Sequence, residues 1–236
     1  MITSLKNKKF LLTIVVAVTT LGLSGQSFGQ AKATDIVGLK LGMSPDEARA
    51  ALKAHDATMK IADLASWRAQ PGVPASIAKI RGCSSAVPDG PCKDEIVVTF
   101  GHLSKKALFV TRVLKVGNGV LHQAAVDSLI QKYGQPTFRS SPNSLLWTYT
   151  AAGAPVGNTE CAVSAQSPIE SVTPKPQCGT ATSANILAGP GALASEIHVA
   201  TYEGQRLVDE RALLVAAVKA HQEEIERAAK GNKVKL

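Results

Sequence analysis

The sequence predicts an α+β protein: an antiparallel sheet backed by short helices, with a long C-terminal helix and two disulfide-stapled loops. Three observations carry that expectation. Runs of β-branched and aromatic residues alternate with amphipathic stretches of helical period, the pattern of helices laid on an antiparallel sheet. Four cysteines fall into two local pairs, each flanking a segment rich in Pro, Gly or Ser. The chain opens with a charged, then apolar, then small-residue stretch, the layout of a secretory signal peptide, so the cysteines are read in an oxidising compartment.

Lys6, Lys8 and Lys9 precede the apolar run Phe10 to Leu23, and small and polar residues follow from Ser24 to Ala33. Residues 1–33 are therefore expected to be a signal peptide. Cleavage after Ala33, with Ala31 at the third position back, fits the A-x-A pattern better than cleavage after Gly29 with Ser27 at that position. The apolar run is short against the about 20 residues of a membrane span, and an uncleaved N-terminal anchor is the alternative. No later run is long enough to span, so no stable membrane insertion is expected after cleavage. No cysteine precedes Cys83, which disfavours a lipid anchor. The expected location is periplasmic or secreted.

The formal charge of +8 falls to about half once Lys6, Lys8, Lys9 and Lys32 leave with the signal. The remaining basic residues are scattered, and only 4% of residues are aromatic, so base-stacking platforms and nucleic-acid grooves are poorly supported. Lys230, Lys233 and Lys235 read as a solvated end. Four cysteines allow three connectivities. Local pairing, Cys83 with Cys92 and Cys161 with Cys178, is expected because each pair brackets a flexible segment. Closing a loop of roughly 15 residues stabilises by about 3 kcal/mol on chain-entropy grounds. Neither pair has the C-x₂₋₄-C spacing of zinc ligands, and no C-x-x-C is present.

Ser44-Pro45-Asp46-Glu47 is a capping box with proline at the first helical position, and Ala48, Ala51, Leu52 and His55 then share one helical face. Ile36 to Leu41 alternate weakly as a short strand. Residues 66–93 read as loop, with at most a short strand near Ile77 to Ile80. Glu95 to Phe100 and Leu108 to Val116 are strands, joined as a hairpin through His102 to Lys106 and closed by Gly117-Asn118-Gly119. A second helix spans about Val120 to Tyr133, with Val126, Leu129, Ile130 and Tyr133 on one face, Gly134 as a left-handed cap and Pro136 as a stop. Leu145 to Thr150 is a strand with Leu145, Trp147 and Tyr149 on one side. Strands follow at Gly179 to Leu187 and Glu196 to Tyr202. A third helix, from Leu207 to about Ala229, carries the stripe Leu207, Leu214, Val218 and Ile225, expected to dock on the sheet or, alternatively, to pair with another chain. Residues 34–236 are read as a single α+β domain, with two helix-then-strands modules, about 34–117 and 118–236, as a finer division.

The segment Gly38-Leu39-Lys40-Leu41-Gly42-Met43-Ser44-Pro45-Asp46-Glu47-Ala48 resembles the opening of small exported bacterial domains. Leu129-Ile130-Gln131-Lys132-Tyr133-Gly134-Gln135-Pro136-Thr137, with Trp147 on the next strand, resembles their helix ending. The group comprises SmpA/OmlA-type envelope proteins and β-lactamase-inhibitor-protein-like domains. The two segments cover about a tenth of the chain and are structural signatures without active-site residues. The resemblance implies a helix-backed sheet that acts by binding other proteins.

The histidines His55, His102, His122, His198 and His221 show no metal-binding spacing. No nucleophile elbow, S-x-x-K or phosphate loop occurs. Asp94-Glu95 and Asp209-Glu210 are adjacent carboxylates, but neighbours on a strand point to opposite faces. No catalytic, cofactor-binding or metal residue is nominated, and no cofactor is expected. The expected function is a non-enzymatic protein-binding module of the bacterial cell envelope, its partner another envelope protein. The alternatives are an inhibitor or immunity factor of an enzyme, with Ser84 to Pro91 as a protruding loop, and a periplasmic hydrolase. The sequence leaves the oligomeric state open.

Overall fold

A computed structural model describes residues 35–85, 90–163 and 175–231. The expected signal peptide, the tips of both cysteine-bracketed loops, and Lys233 and Lys235 lie outside the described residues. The elements in order are α1 (Pro45–His55), β1 (Lys60–Trp67), β2 (Ser76–Ser84), β3 (Asp94–Phe100), β4 (Ala107–Leu121), α2 (His122–Tyr133), β5 (Phe138–Ser141), β6 (Ser144–Thr150), β7 (Cys178–Ala188), β8 (Leu193–Glu203) and α3 (Gly204–Gly231).

The capping box forms as the sequence specifies. Glu47 N donates to Ser44 Oγ at 3.4 Å and Ser44 N donates to Glu47 Oε2 at 2.7 Å, so two amides the helix cannot satisfy find partners. The backbone bond from Ser44, together with its hydroxyl, holds the Glu47 carboxyl below its ordinary value. Ala48 and Leu52 are fully buried over β2. A Cβ added to Gly82 would stand 2.4 Å from Met59 Sδ and 2.9 Å from Leu52 Cδ2, so this close approach of α1 requires glycine.

All eight strands join one antiparallel sheet in the order β1-β2-β3-β4-β8-β7-β6-β5. Each half is a helix followed by a four-stranded meander, and the halves pair edge to edge through β4 and β8, with Val110 opposite Thr201 and Arg112 opposite Val199. One face carries the larger core. Ile80, Ile96, Val98, Phe100, Val110, Leu145, Trp147, Ile186 and Val199 pack there with α1 and with Val126, Leu129 and Tyr133 of α2. On the opposite face Phe109, Ala181, Ala200 and Tyr202 pack with Val163 and with Leu207 at the start of α3.

The residues around α1 and the end of α2 are both tied in by backbone contacts. Gly42 N donates to Ala107 O and Ala107 N donates to Met43 O, pinning the chain before α1 to β4. Tyr133 OH donates to Asp35 O at 3.3 Å, and Lys132 Nζ lies 3.7 Å from the Asp35 carboxylate. Trp147 Nε1 donates to Gly134 O at 2.8 Å and its ring tilts against Tyr133. Gly134 ends α2 at φ 85° but ψ −171°, so it has the positive φ of the expected cap with an extended ψ outside the left-handed helical region.

Several elements differ from the expectation. The segment read as loop contains the end of β1 and all of β2. β1 is an edge strand with mostly exposed side chains, so it has no buried face to impose alternation. β5 is only four residues long. Ile36 to Leu41 is a tight turn closed by a single Ile36–Leu39 bridge. Gly117-Asn118-Gly119 does not close β4. The strand continues to Leu121 through a bulge in which Val116 to Gly119 stand against Ser195 alone.

Candidate functional site

The densest polar cluster lies where α1 ends over β2, β3 and β4. Asp94, 8% exposed, receives Arg112 Nε and Nη2 at 2.8 Å each, and His55 Nε2 stands 2.9 Å from its second oxygen. Burial works to raise the Asp94 carboxyl, but the Arg112 and His55 contacts outweigh it and hold the group below its ordinary value. Beside it, Asp56 accepts from the Ser84 hydroxyl and from Thr58, and these bonds lower its pKa to about 2. Glu95 points to the other face, where Arg81 Nε donates to it at 2.7 Å. The adjacent carboxylates thus diverge as strand geometry requires. Both Asp94 oxygens are occupied, so the cluster ties the end of α1 to three strands.

The remaining histidines are spread over the fold. His102, 3% exposed, stands 2.7 Å from Pro74 O and stacks on Trp67 with centroids 5.7 Å apart. His122 begins α2, and its buried Nε2 has no hydrogen-bond partner among the described residues. His198 stands 2.7 Å from Glu196. His221 lies on α3. Among the described residues no group of three or more His, Cys, Asp or Glu side chains is arranged to hold a metal ion. The nominated cysteines form the two bridges Cys83–Cys92 and Cys161–Cys178.

Four of the exposed large hydrophobic side chains, Leu213, Val215, Val218 and Ile225, lie on the C-terminal helix. α3 crosses the strand ends at the β3–β4 turn. Glu210, 7% exposed, accepts from Leu103 N at 2.7 Å and Ser104 N at 3.2 Å. Farther along, a Cβ added to Gly72 would stand 2.7 Å from His221 Cβ and 3.1 Å from Ala217 O. The docking face is therefore Leu207, Glu210, Leu214, Ala217 and His221, at alternating spacings of three and four. The expected stripe named Leu207 and Leu214 correctly but continued through Val218 and Ile225, which are 44% and 50% exposed. Counting apolar residues could not find a docking face whose anchors are a carboxylate and an imidazole. Leu213 and Val215 are also exposed, at 48% and 63%. Leu214, Val215 and Val218 line an open groove edged by Lys219, Gln222, Glu223 and Glu226.

On the sheet face opposite α1 and α2, Arg81, Glu95, Val97, Val113 and Asn185 are half-buried. A second shallow groove of about 350 Å³ lies at the β4 bulge, lined by Lys115, Gly117, Gly119, Leu193 and Glu196. Among the described residues no helix is long and apolar enough to cross a membrane. The two disulfides fit a protein of a non-cytoplasmic compartment. Comparison with family models, with curated proteins and with solved structures finds no match for this chain.

Proposed function

We propose that this chain is an exported, non-enzymatic protein-binding module of the bacterial cell envelope, periplasmic or secreted, and that it engages another envelope protein through the exposed flank of α3 at Val215 and Val218. The observation that carries this reading is the open groove of Leu214, Val215 and Val218, with Val215 and Val218 63% and 44% exposed, on the flank beside the docked face of the helix. Apolar side chains gathered on one helix face favour a partner that buries them. The helix also carries acids and bases in balance, Glu223, Glu224 and Glu226 against Lys219, Arg227 and Lys230. An anionic lipid surface would select a polar face dominated by Lys and Arg, so a protein partner is favoured over a membrane.

The test is capture from envelope extract with residues 34–236 as bait under non-reducing conditions, run beside the double variant Val215→Glu/Val218→Glu. One protein retained stoichiometrically by the wild type, and reduced at least about tenfold on the variant, is the expected result. If that protein is an enzyme whose activity falls on addition of the chain, the module acts as an inhibitor. Equal retention by both baits, or no retention by either, would overturn the reading.

A further inference from the structure

The two disulfides sit in opposite chemical settings. Cys161 and Cys178 are 1% and 0% exposed, and Cys161 O accepts from the buried Tyr202 hydroxyl. Cys83 and Cys92 are both partly exposed. Arg81, two residues before Cys83 on the same face of β2, places Nη2 3.1 Å from Cys92 Sγ. Its Nε is held at 2.7 Å by Glu95, which stands directly opposite Cys83 in the β2–β3 register. The guanidinium is therefore fixed with a free-standing N–H edge against one sulfur of the pair. A neutral disulfide sulfur is a weak acceptor and gains little from this contact. A thiolate at the same position gains a charge-assisted hydrogen bond and a cation at contact distance.

We propose that Cys83–Cys92 is a thiol–disulfide exchange site for small thiols, polarised so that Cys83 is attacked and Cys92 leaves. The incoming thiol loses its proton to solvent, and its thiolate forms a bond to Cys83 Sγ. The Cys83–Cys92 bond breaks, and its electron pair passes to Cys92 Sγ as a thiolate facing Arg81. A second thiolate then attacks the small-molecule sulfur of the mixed disulfide and releases the Cys83 thiolate. The protein bridge is reduced by two electrons, and two thiols are oxidised to one disulfide. Exchange is faster when the leaving sulfur is the more stabilised thiolate, which sets the direction of attack. The buried Cys161–Cys178 bridge offers no such path and remains structural.

The purified oxidised protein is exposed to reduced glutathione near neutral pH, quenched with N-ethylmaleimide at intervals and mapped by peptide mass spectrometry. Glutathione is expected on Cys83 and maleimide on Cys92, with Cys161 and Cys178 unlabelled until denaturant is added. Arg81→Gln is expected to slow opening about threefold and to spread glutathione over both sulfurs, while Arg81→Lys restores part of the bias. The protection of Cys161–Cys178 reports folding in every sample. Glutathione mainly on Cys92, equal opening of both bridges, or no opening before global unfolding would overturn the proposal. The wild-type map decides the direction of attack even if Arg81→Gln does not fold.

Discussion

The short helices and the long one are held to the sheet by different forces. α1 and α2 bury apolar stripes: Ala48 and Leu52 in one, Ala125, Val126, Leu129 and Tyr133 in the other. α3 has 28 residues, about 42 Å of helix, and is fastened by Leu207, the carboxylate of Glu210 and the packing of Ala217 and His221 on Gly72. Val215 and Val218 stand exposed on the flank beside that fastened face. The difference separates two roles that apolar helix residues usually share. In α1 and α2 they fold the protein, whereas in α3 two of them are left exposed, open to the partner proposed above.

Four substitutions sharpen or break this contrast. Leu52→Ala should have the largest effect, about 3 kcal/mol off the unfolding free energy in urea, because Leu52 is fully buried against Met59 and Gly82. Asp94→Asn should be nearly as costly at neutral pH, about 2–3 kcal/mol, since it removes the charge that pairs Arg112 and His55. The folded Asp94 carboxyl lies below its unfolded value, so its contribution is full above the ordinary aspartate range near pH 4 and is lost as pH falls through the folded value. The gap between wild type and Asp94→Asn should therefore narrow on acidification. A gap that widened would contradict the assignment. Glu210→Ala should cost about 2 kcal/mol by stranding the Leu103 and Ser104 amides, and should raise hydrogen exchange along α3 while leaving α1 and α2 protected. Val218→Ala, at an exposed site, should change stability by less than about 0.5 kcal/mol.

Locally encoded features were legible in the sequence. The capping box of α1, the apolar face of α2, the Leu145–Trp147 face of β6 and the cysteine pairing each rest on residues close in the chain, and each is present. β1 escaped because an exposed edge strand has no periodic burial. β2 was seen only at Ile77 to Ile80 because Gly82, needed for α1 to approach, interrupts its apolar pattern. The polar anchors escaped for a different reason. His55 and Asp94 are 39 residues apart, and Glu210 reaches a turn 107 residues away, so no local spacing announces either contact. The docking face of α3 was misplaced for the same reason, its decisive contact being a carboxylate on two amides. The Arg81 contact on Cys92 likewise depends on strand register and not on spacing.

The most direct test of the two-faced helix is Val218→Glu, measured for both its urea midpoint and its capture of the envelope partner retained by the wild type. An unchanged midpoint with capture lost is the predicted result. A midpoint lowered as far as that of Glu210→Ala, or capture left intact, would contradict the proposed use of this exposed flank for binding.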